Sequence, residues 1–372
     1  MSDIKYWVGF TLVPGIGRVK FSLMEQHFGS LETAWYASAS ELQAAGLDNR
    51  SVEAIMAKRS AISLDAEMEK LERFKVKAHT WKDEEYPSLL KEIYDLPPVL
   101  YVRGTLAPED AVSVAVVGTR RPTYYGRETA EQIAGDLARN RVTIVSGLAR
   151  GIDATAHHAA LEAGGRTIAV FGCGLDIVYP GDHAKLARQI MECGALISEF
   201  PLGTRPRADN FPRRNRIMSG LSLGVLVIEA RERSGALITA QWALEQNRDV
   251  FAVPGSVLSP SSRGTNRLIQ EGAKLVSDYY DILEELNLTF AAQQGTLLLE
   301  TVPTTETESL IIQHLSSEPT HIDEVGRQCG LPIATVSSTL AVMELKGMVR
   351  QVGGMNYTVA RETRAEYRVR VE

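Results

Sequence analysis

From residue 111 onward the chain repeats one pattern: a short apolar run, a glycine or proline, then a helical stretch. The runs are Ser113–Gly118, Val142–Gly147, Thr167–Gly172, Ala195–Phe200, Gly224–Ala230 and Asp249–Gly255, all rich in Val, Ile, Ala or Leu. Apolar strands without polar alternation are buried on both faces, which requires a parallel sheet sandwiched between helices. Six strand–helix units in succession predict a doubly wound, Rossmann-like α/β domain. Such sheets bind ligands beyond the carboxyl ends of their strands, where glycine turns and helix N-termini attract anions.

Four of these turns are polar and basic. They are Gly118-Thr119-Arg120-Arg121-Pro122-Thr123-Tyr124-Tyr125-Gly126, Ser146-Gly147-Leu148-Ala149-Arg150-Gly151-Ile152-Asp153, the stretch Pro201–Arg216, and Glu232-Arg233-Ser234-Gly235-Ala236. The third holds Arg205, Arg207, Arg213, Arg214 and Arg216 against Asp209, and its prolines Pro206 and Pro212 predict an extended approach to a helix starting near Arg213. Guanidinium forks suit phosphate oxygens. Phe211 lies inside this basic run, and Tyr124 and Tyr125 follow Arg120-Arg121. Cations interleaved with rings suit a single strand, whose phosphates need charge and whose bases need a stacking face. The bland alternative is a solvated surface, or an ion-pair network with Glu199, Asp209 and Glu229 over a core Phe211.

Charge supports a local site. The 372 residues carry a net charge of −6, yet residues 111–216 hold 14 Lys and Arg against 10 Asp and Glu. A protein that coats DNA indiscriminately is excluded, whereas a basic pocket in the middle of the chain is not. Cys173, Cys193 and Cys329 are odd in number and lack metal-ligand spacing, which fits a reducing compartment. No N-terminal signal pattern or membrane-length apolar run is present, so a cytoplasmic protein is expected.

The flanks are of different character. Over residues 1–80, short helices are broken by Leu12-Val13-Pro14-Gly15-Ile16-Gly17 and Ala45-Gly46-Leu47, which resembles a helix-hairpin-helix or SAM-like module. Its turn can offer N–H groups to a phosphate or merely join helices. Its ten Lys and Arg are balanced by ten Asp and Glu. The central domain is expected over 81–289 and a linker over 290–305. Helical patterns at 306–316, 321–329 and 332–346, then a hairpin through Gly353-Gly354, predict a winged helix over 306–372. Residues 306–360 hold Arg327, Lys346 and Arg350 against six acidic residues, which favours protein contact over a major-groove recognition helix.

The central blocks resemble the DNA-processing protein A family (DprA, also called Smf). They are Val116–Arg120, Ser146–Asp153, Phe211–Ile217, Ser234–Ala240, Ala252–Gly255, and Gly264–Ile269 with Gly272-Ala273; upstream, Tyr86-Pro87, Pro97–Tyr101 and Arg103-Gly104 also fit. The resemblance is close over residues 80–285 and looser in the flanks. It implies an extended Rossmann-like, dimer-forming protein that binds single-stranded DNA, protects incoming DNA during natural transformation and helps load the RecA recombinase. It carries over a phosphate cradle at Gly118, Thr119, Arg120 and Arg121, with Ser146, Gly147 and Arg150. A basic and stacking segment carries over at Phe211, Arg213, Arg214, Asn215 and Arg216, with rim residues Thr265 and Asn266. Neither a cofactor nor catalysis is implied.

Other chemistries fit less well. Gly172-Cys173-Gly174-Leu175-Asp176-Ile177 begins like a dinucleotide fingerprint but has Ile177 where the third glycine belongs. A nucleotide phosphoribohydrolase of the lysine-decarboxylase-like kind would use a loop of consecutive glycines and a downstream glutamate. Here Arg233-Ser234-Gly235-Ala236 replaces the glycines, which makes Glu245 a surface helix residue. Asp153, His157 and His158 offer no third metal ligand of suitable spacing, so Asp153 is expected to cap the helix or pair with His157.

Overall fold

All six expected runs form strands: β3 Ser113–Gly118, β4 Thr143–Ser146, β5 Thr167–Phe171, β6 Ala195–Ser198, β7 Gly224–Ile228 and β8 Asp249–Ala252. The computed structural model describes residues 3–288, 305–316, 319–345, 348–352 and 354–359, divided between two compact units, 1–292 and 293–372. Among the described residues, three further strands complete the larger sheet: β1 Lys77–Thr80, β2 Val99–Gly104 and β9 Lys274–Leu275. The order is β1-β2-β6-β5-β4-β3-β7-β8-β9. From β6 to β9 every neighbouring pair is parallel. β2 runs antiparallel to β6, and β1 antiparallel to β2. The six expected strands are thus all parallel, as the doubly wound reading requires, and the antiparallel β1 and β2 extend the sheet beyond β6. β1 and β9 contain no apolar run, and β2 follows Pro97-Pro98 outside the strand–helix rhythm.

The parallel part of the sheet starts at β3, steps outward through β4, β5 and β6, then crosses back to lay β7 on the other side of β3. This reversal is the switch point of a doubly wound sheet and opens a crevice at the exits of β3 and β7. Alternate side chains of each strand feed opposite helix layers. Val114, Val116 and Ile144 pack with α8 (Tyr124–Arg139) and α9 (Ile152–Glu162). Ala115, Val117 and Val145 pack with α11 (Asn210–Leu221) and α12 (Gly235–Glu245).

The N-terminal helices are α1 Ile4–Thr11, α2 Arg18–Phe28, α3 Leu31–Tyr36, α4 Ala39–Ala44, α5 Asn49–Lys58 and α6 Leu64–Arg73. Side chains of Ser30, Ser38, Asp48 and Ser63 cap four of them, satisfying N–H groups that a short helix leaves unpaired. Trp7 stacks on Phe21 at 5.3 Å, and Phe10 meets Trp35 edge-on at 5.0 Å. The same core includes Tyr101, Phe171 and Leu196 of the sheet and Leu186, Ala187 and Ile190 of α10 (Ala184–Cys193). Tyr101 Oη and Thr11 Oγ1 share a 2.7 Å hydrogen bond. Packing therefore does not change at residue 80: β1 belongs to the sheet, and the helices share a core with it.

In the second unit, α15 (Glu306–Gln313), α16 (Ile322–Cys329) and α17 (Ile333–Leu345) accompany strands β10 (Thr320–His321), β11 (Val349–Gln351) and β12 (Asn356–Val359), paired in the order β10-β12-β11. Ile311, Val325, Val336, Leu340 and Met343 form its core. This is the expected winged helix. The expected linker lies outside the described residues except Thr305, whose hydroxyl caps α15. No helix among the described residues is long and apolar enough to cross a membrane.

Candidate nucleic-acid interface

Loops leaving β3, β4, β5 and β6 converge on one edge of the sheet. The turn after β3 is anchored by Glu229, buried at the end of β7 with a positive φ of 51°. Its carboxylate accepts from Thr123 N at 2.8 Å and Thr123 Oγ1 at 2.5 Å, and its carbonyl accepts from Thr119 N at 2.9 Å. A bulky residue in the left-handed region is uncommon and persists where surrounding structure over-determines it. Here three bonds do so, and they hold Arg120 and Arg121 out at the exposed tip.

The turn after β4 is clamped at both the N–H and the carbonyl of Gly147. Asp153 Oδ2 accepts from Gly147 N at 3.2 Å and from Ala149 N at 3.3 Å, while Arg214 Nη1 donates to Gly147 O at 2.8 Å and also to Val170 O. A Cβ at Gly147 would lie 2.4–2.6 Å from the Arg214 guanidinium, so only glycine admits this approach. Gly151, at φ 83°, brings the start of α9 against Thr119 O and the Arg120 backbone. Burial pushes the Asp153 carboxyl up and the Arg214 guanidinium down to about 10, so Arg214 remains charged at neutral pH. Asp153 does not pair with His157, as the sequence reading allowed. His157 Nδ1 instead meets Thr167 Oγ1 at 2.6 Å in the core.

The arginines of 205–216 divide sharply. α11 begins at Asn210, earlier than expected, with Pro212 inside its first turn. Arg213 faces solvent at 59 % side-chain exposure, with its guanidinium 3.4 Å from Glu199. Arg214 and Arg216 are buried, at 4 % and 2 %. Arg216 lies 2.9–3.0 Å from both Glu199 oxygens and 3.0 Å from Asp95. Asn215 accepts from Arg214 Nε and donates to Gly235 O. Arg207 pairs with Asp209, and Arg150 with Asp182 at 2.5 Å, the latter with both partners well exposed. Among the described residues Arg120, Arg121 and Arg205 have no carboxylate partner within salt-bridge distance.

Phe211 joins these loops. Its ring lies under the guanidinium carbons of Arg120 at 5.9 Å and Arg214 at 6.0 Å, and 5.6 Å from the ring of Tyr179. Gly118, Thr119, Arg120, Gly147, Phe211 and Arg214 thus share one neighbourhood, bordered by the exposed Arg121 and Arg150, whereas Arg213 lies against Phe200 and Glu199. Ser146 is buried, its hydroxyl donating to Val116 O at 2.6 Å. The bonds of Thr265 and Asn266 go elsewhere: Thr265 donates to Ser262 O, and Asn266 pins both the N–H and the carbonyl of Gly255. Asn266 also lines a separate cavity of about 470 Å³ with Arg233, Arg263 and Arg267. Sequence reading missed Tyr179, the anchoring role of Glu229 and the clamp by Asp153. For Asp153 a signal existed, an acid at the second position of a helix behind a glycine turn.

A parallel α/β sheet with an arginine-bordered, ring-bearing rim at its strand exits, joined in one chain to a winged helix, defines a Rossmann-like polyanion-binding protein. Comparison narrows the class. The family model described as DNA recombination-mediator protein A matches residues 77–287, and a DprA winged-helix model matches 299–355. Protein Smf of Synechocystis is 37 % identical over 392 aligned residues, spanning 96 % of this chain and 98 % of that one. Protein Smf of Escherichia coli is 43 % identical over 282 residues, 72 % of this chain and 74 % of its own. The solved structure of DprA from Streptococcus pneumoniae superposes with a TM-score of 0.67 at 38 % identity, covering 76 % of this chain and 97 % of that one. DprA from Helicobacter pylori, whose structure is described for its single-stranded DNA binding mode, superposes at 0.53 and 31 % identity over 58 % and 97 %. This chain belongs to the DNA recombination-mediator protein A family.

Proposed function

We propose that this protein binds single-stranded DNA without chemistry, protects incoming DNA during natural transformation and helps load a RecA recombinase onto it, acting in the cytoplasm as a homodimer. The observation that carries the reading is the meeting of exposed Arg120, from the turn after β3, with Phe211 in the first turn of α11, beside the turn after β4 that bears exposed Arg150. Arg120, Arg121, Arg150 and Arg213 supply phosphate contacts, with Gly118, Thr119 and Gly147 lining the backbone cradle. Arg214, Asn215, Arg216 and Ser146 act from beneath by fixing the loops, because their side chains are already engaged inside the protein. Thr265 and Asn266 are at most a distant rim. Single strands fit such a surface because their bases can splay onto a ring, whereas duplex bases are already stacked. The single-stranded DNA binding described for the Helicobacter pylori relative supports the assignment.

Gel-shift titration against single-stranded and duplex DNA of equal length tests it: clear preference for the single strand is expected, and equal affinity overturns it. A pull-down with the cognate RecA and a molar mass in solution test the partner and the dimer. The phosphoribohydrolase reading places its glutamate at Glu245, which is exposed on α12 and bonded to Gln241. Release of free base from nucleoside monophosphates would revive it.

A further inference from the structure

The loop that follows β5 lies outside the blocks that first pointed to the site, yet it places an aromatic ring at the centre of the rim. We infer that Tyr179 is the outer stacking platform for a DNA base, with Phe211 as its underlay; this rests on the single-stranded DNA reading above. Phe211 is only partly exposed, because several groups crowd it. A Cβ on Gly172 would lie 2.9 Å from its ring, and the guanidinium groups of Arg120 and Arg214 stand over it. Tyr179 covers it further, with ring centroids 5.6 Å apart and planes tilted by 31°. A base inserted between two rings needs them about 7 Å apart, twice the 3.4 Å stacking distance of nucleic acid bases, so the gap does not admit one. The ring surface offered to solvent is that of Tyr179, which is 48 % exposed.

The platform is held before any ligand arrives. Gly174 N donates to Thr204 O at 3.0 Å, Gly203 N to both Asp176 oxygens at 2.9 and 3.0 Å, and His183 Nδ1 meets Leu148 O at 2.9 Å. The segment is therefore tied to the loops leaving β4 and β6, on both sides of Tyr179. A ring with two side-chain torsions on a pinned loop loses little entropy when a base settles on it. Arg150 is joined to the same segment through Asp182, so a phosphate donor stands within one short loop of the ring. The other tyrosines are less suited: Tyr125 donates its hydroxyl to Pro254 O, and Tyr124 makes no ring contact among the described residues.

The test uses the full-length protein and a thymidine oligonucleotide carrying 5-iododeoxyuridine at successive positions. Irradiation is expected to crosslink the peptide containing Tyr179, and Tyr179→Phe to bind within about twofold of the unaltered protein. Tyr179→Ala should weaken binding about 5- to 150-fold, as when one stacked base loses its ring. The slope of log affinity against log salt should not change, since no phosphate contact is removed. Binding by Tyr179→Ala within twofold, a shallower salt slope, or crosslinks only outside the Tyr179 peptide would each overturn the inference while leaving single-stranded DNA binding intact. Should Tyr179→Ala fail to fold, the crosslink and the phenylalanine variant decide. Failure of the unaltered protein to bind the oligonucleotide would overturn the functional reading and this inference with it.

Discussion

Arg216→Ala separates a residue that holds the site from one that touches DNA. The Arg216 side chain is 3 % exposed and its guanidinium lies 2.9–3.0 Å from Glu199, whose side chain is itself only 5 % exposed. Removing one member of a buried ion pair costs about 3–5 kcal/mol, because the other charge stays buried without its partner. Arg213, 3.4 Å from the same carboxylate, can swing toward it and offset part of that, which places the expectation near 3 kcal/mol. At about 2 °C per kcal/mol for a unit of this size, the melting midpoint should fall by roughly 6 °C. Thermal unfolding followed by circular dichroism measures this. Binding to single-stranded DNA well below the midpoint should retain its salt slope, and replacing both partners by apolar residues, Arg216→Met with Glu199→Leu, should recover much of the stability. An unchanged midpoint together with a salt slope lowered by about 0.7 would refute the reasoning, since that is the signature of a lost phosphate contact.

Four further outcomes are expected. Arg120→Ala, at an exposed site with no carboxylate partner, should leave the melting midpoint unchanged, weaken single-stranded DNA binding and lower the salt slope by about 0.7, read by fluorescence polarisation across a salt series. Asp182→Asn should free Arg150 and tighten binding a few-fold at low salt, with the gain vanishing at high salt; no change would mean that Arg150 does not meet phosphate. Gly147→Ala forces a methyl group into the Arg214 guanidinium and should cost about 1–3 kcal/mol in urea unfolding, with loss of affinity as the clamp distorts. His157 is held neutral, its pKa pushed down to about 3 by burial and by the nearby His158, His183 and Arg214. Its folded value lies below its unfolded one, so its contribution is complete above about pH 6.5 and is lost as pH falls toward 3. At pH 5 the loss should be about 2 kcal/mol in urea unfolding, and an imidazole titrating near 6.5 in the folded protein would contradict this.

Where side chains alternate or run apolar without interruption, the backbone had little choice, and the sequence was a sufficient guide. The six strands β3–β8 fall within their expected limits because each is buried on both faces. The edge strands were less legible: Lys77–Thr80 and Lys274–Leu275 are short and half exposed, and become strands only because a neighbour offers them hydrogen bonds. The same holds for the N-terminal helices. Their glycine turns announced short helices but not that Tyr101 and Phe171 of the sheet would share their core.

The amino-acid order alone therefore determined a doubly wound sheet, its exit turns, and a concentration of arginines beside an aromatic residue, since these depend on local periodicity and composition. Which arginines meet solvent was decided only in three dimensions. Arg213, Arg214 and Arg216 lie within four residues of one another, yet the helix turns one outward and two inward, toward Gly147, Val170 and Glu199 from remote segments. The exposed ring of Tyr179 came to Phe211 by the same route. Burial and partnership depend on residues distant in the chain, and local pattern carries no information about them.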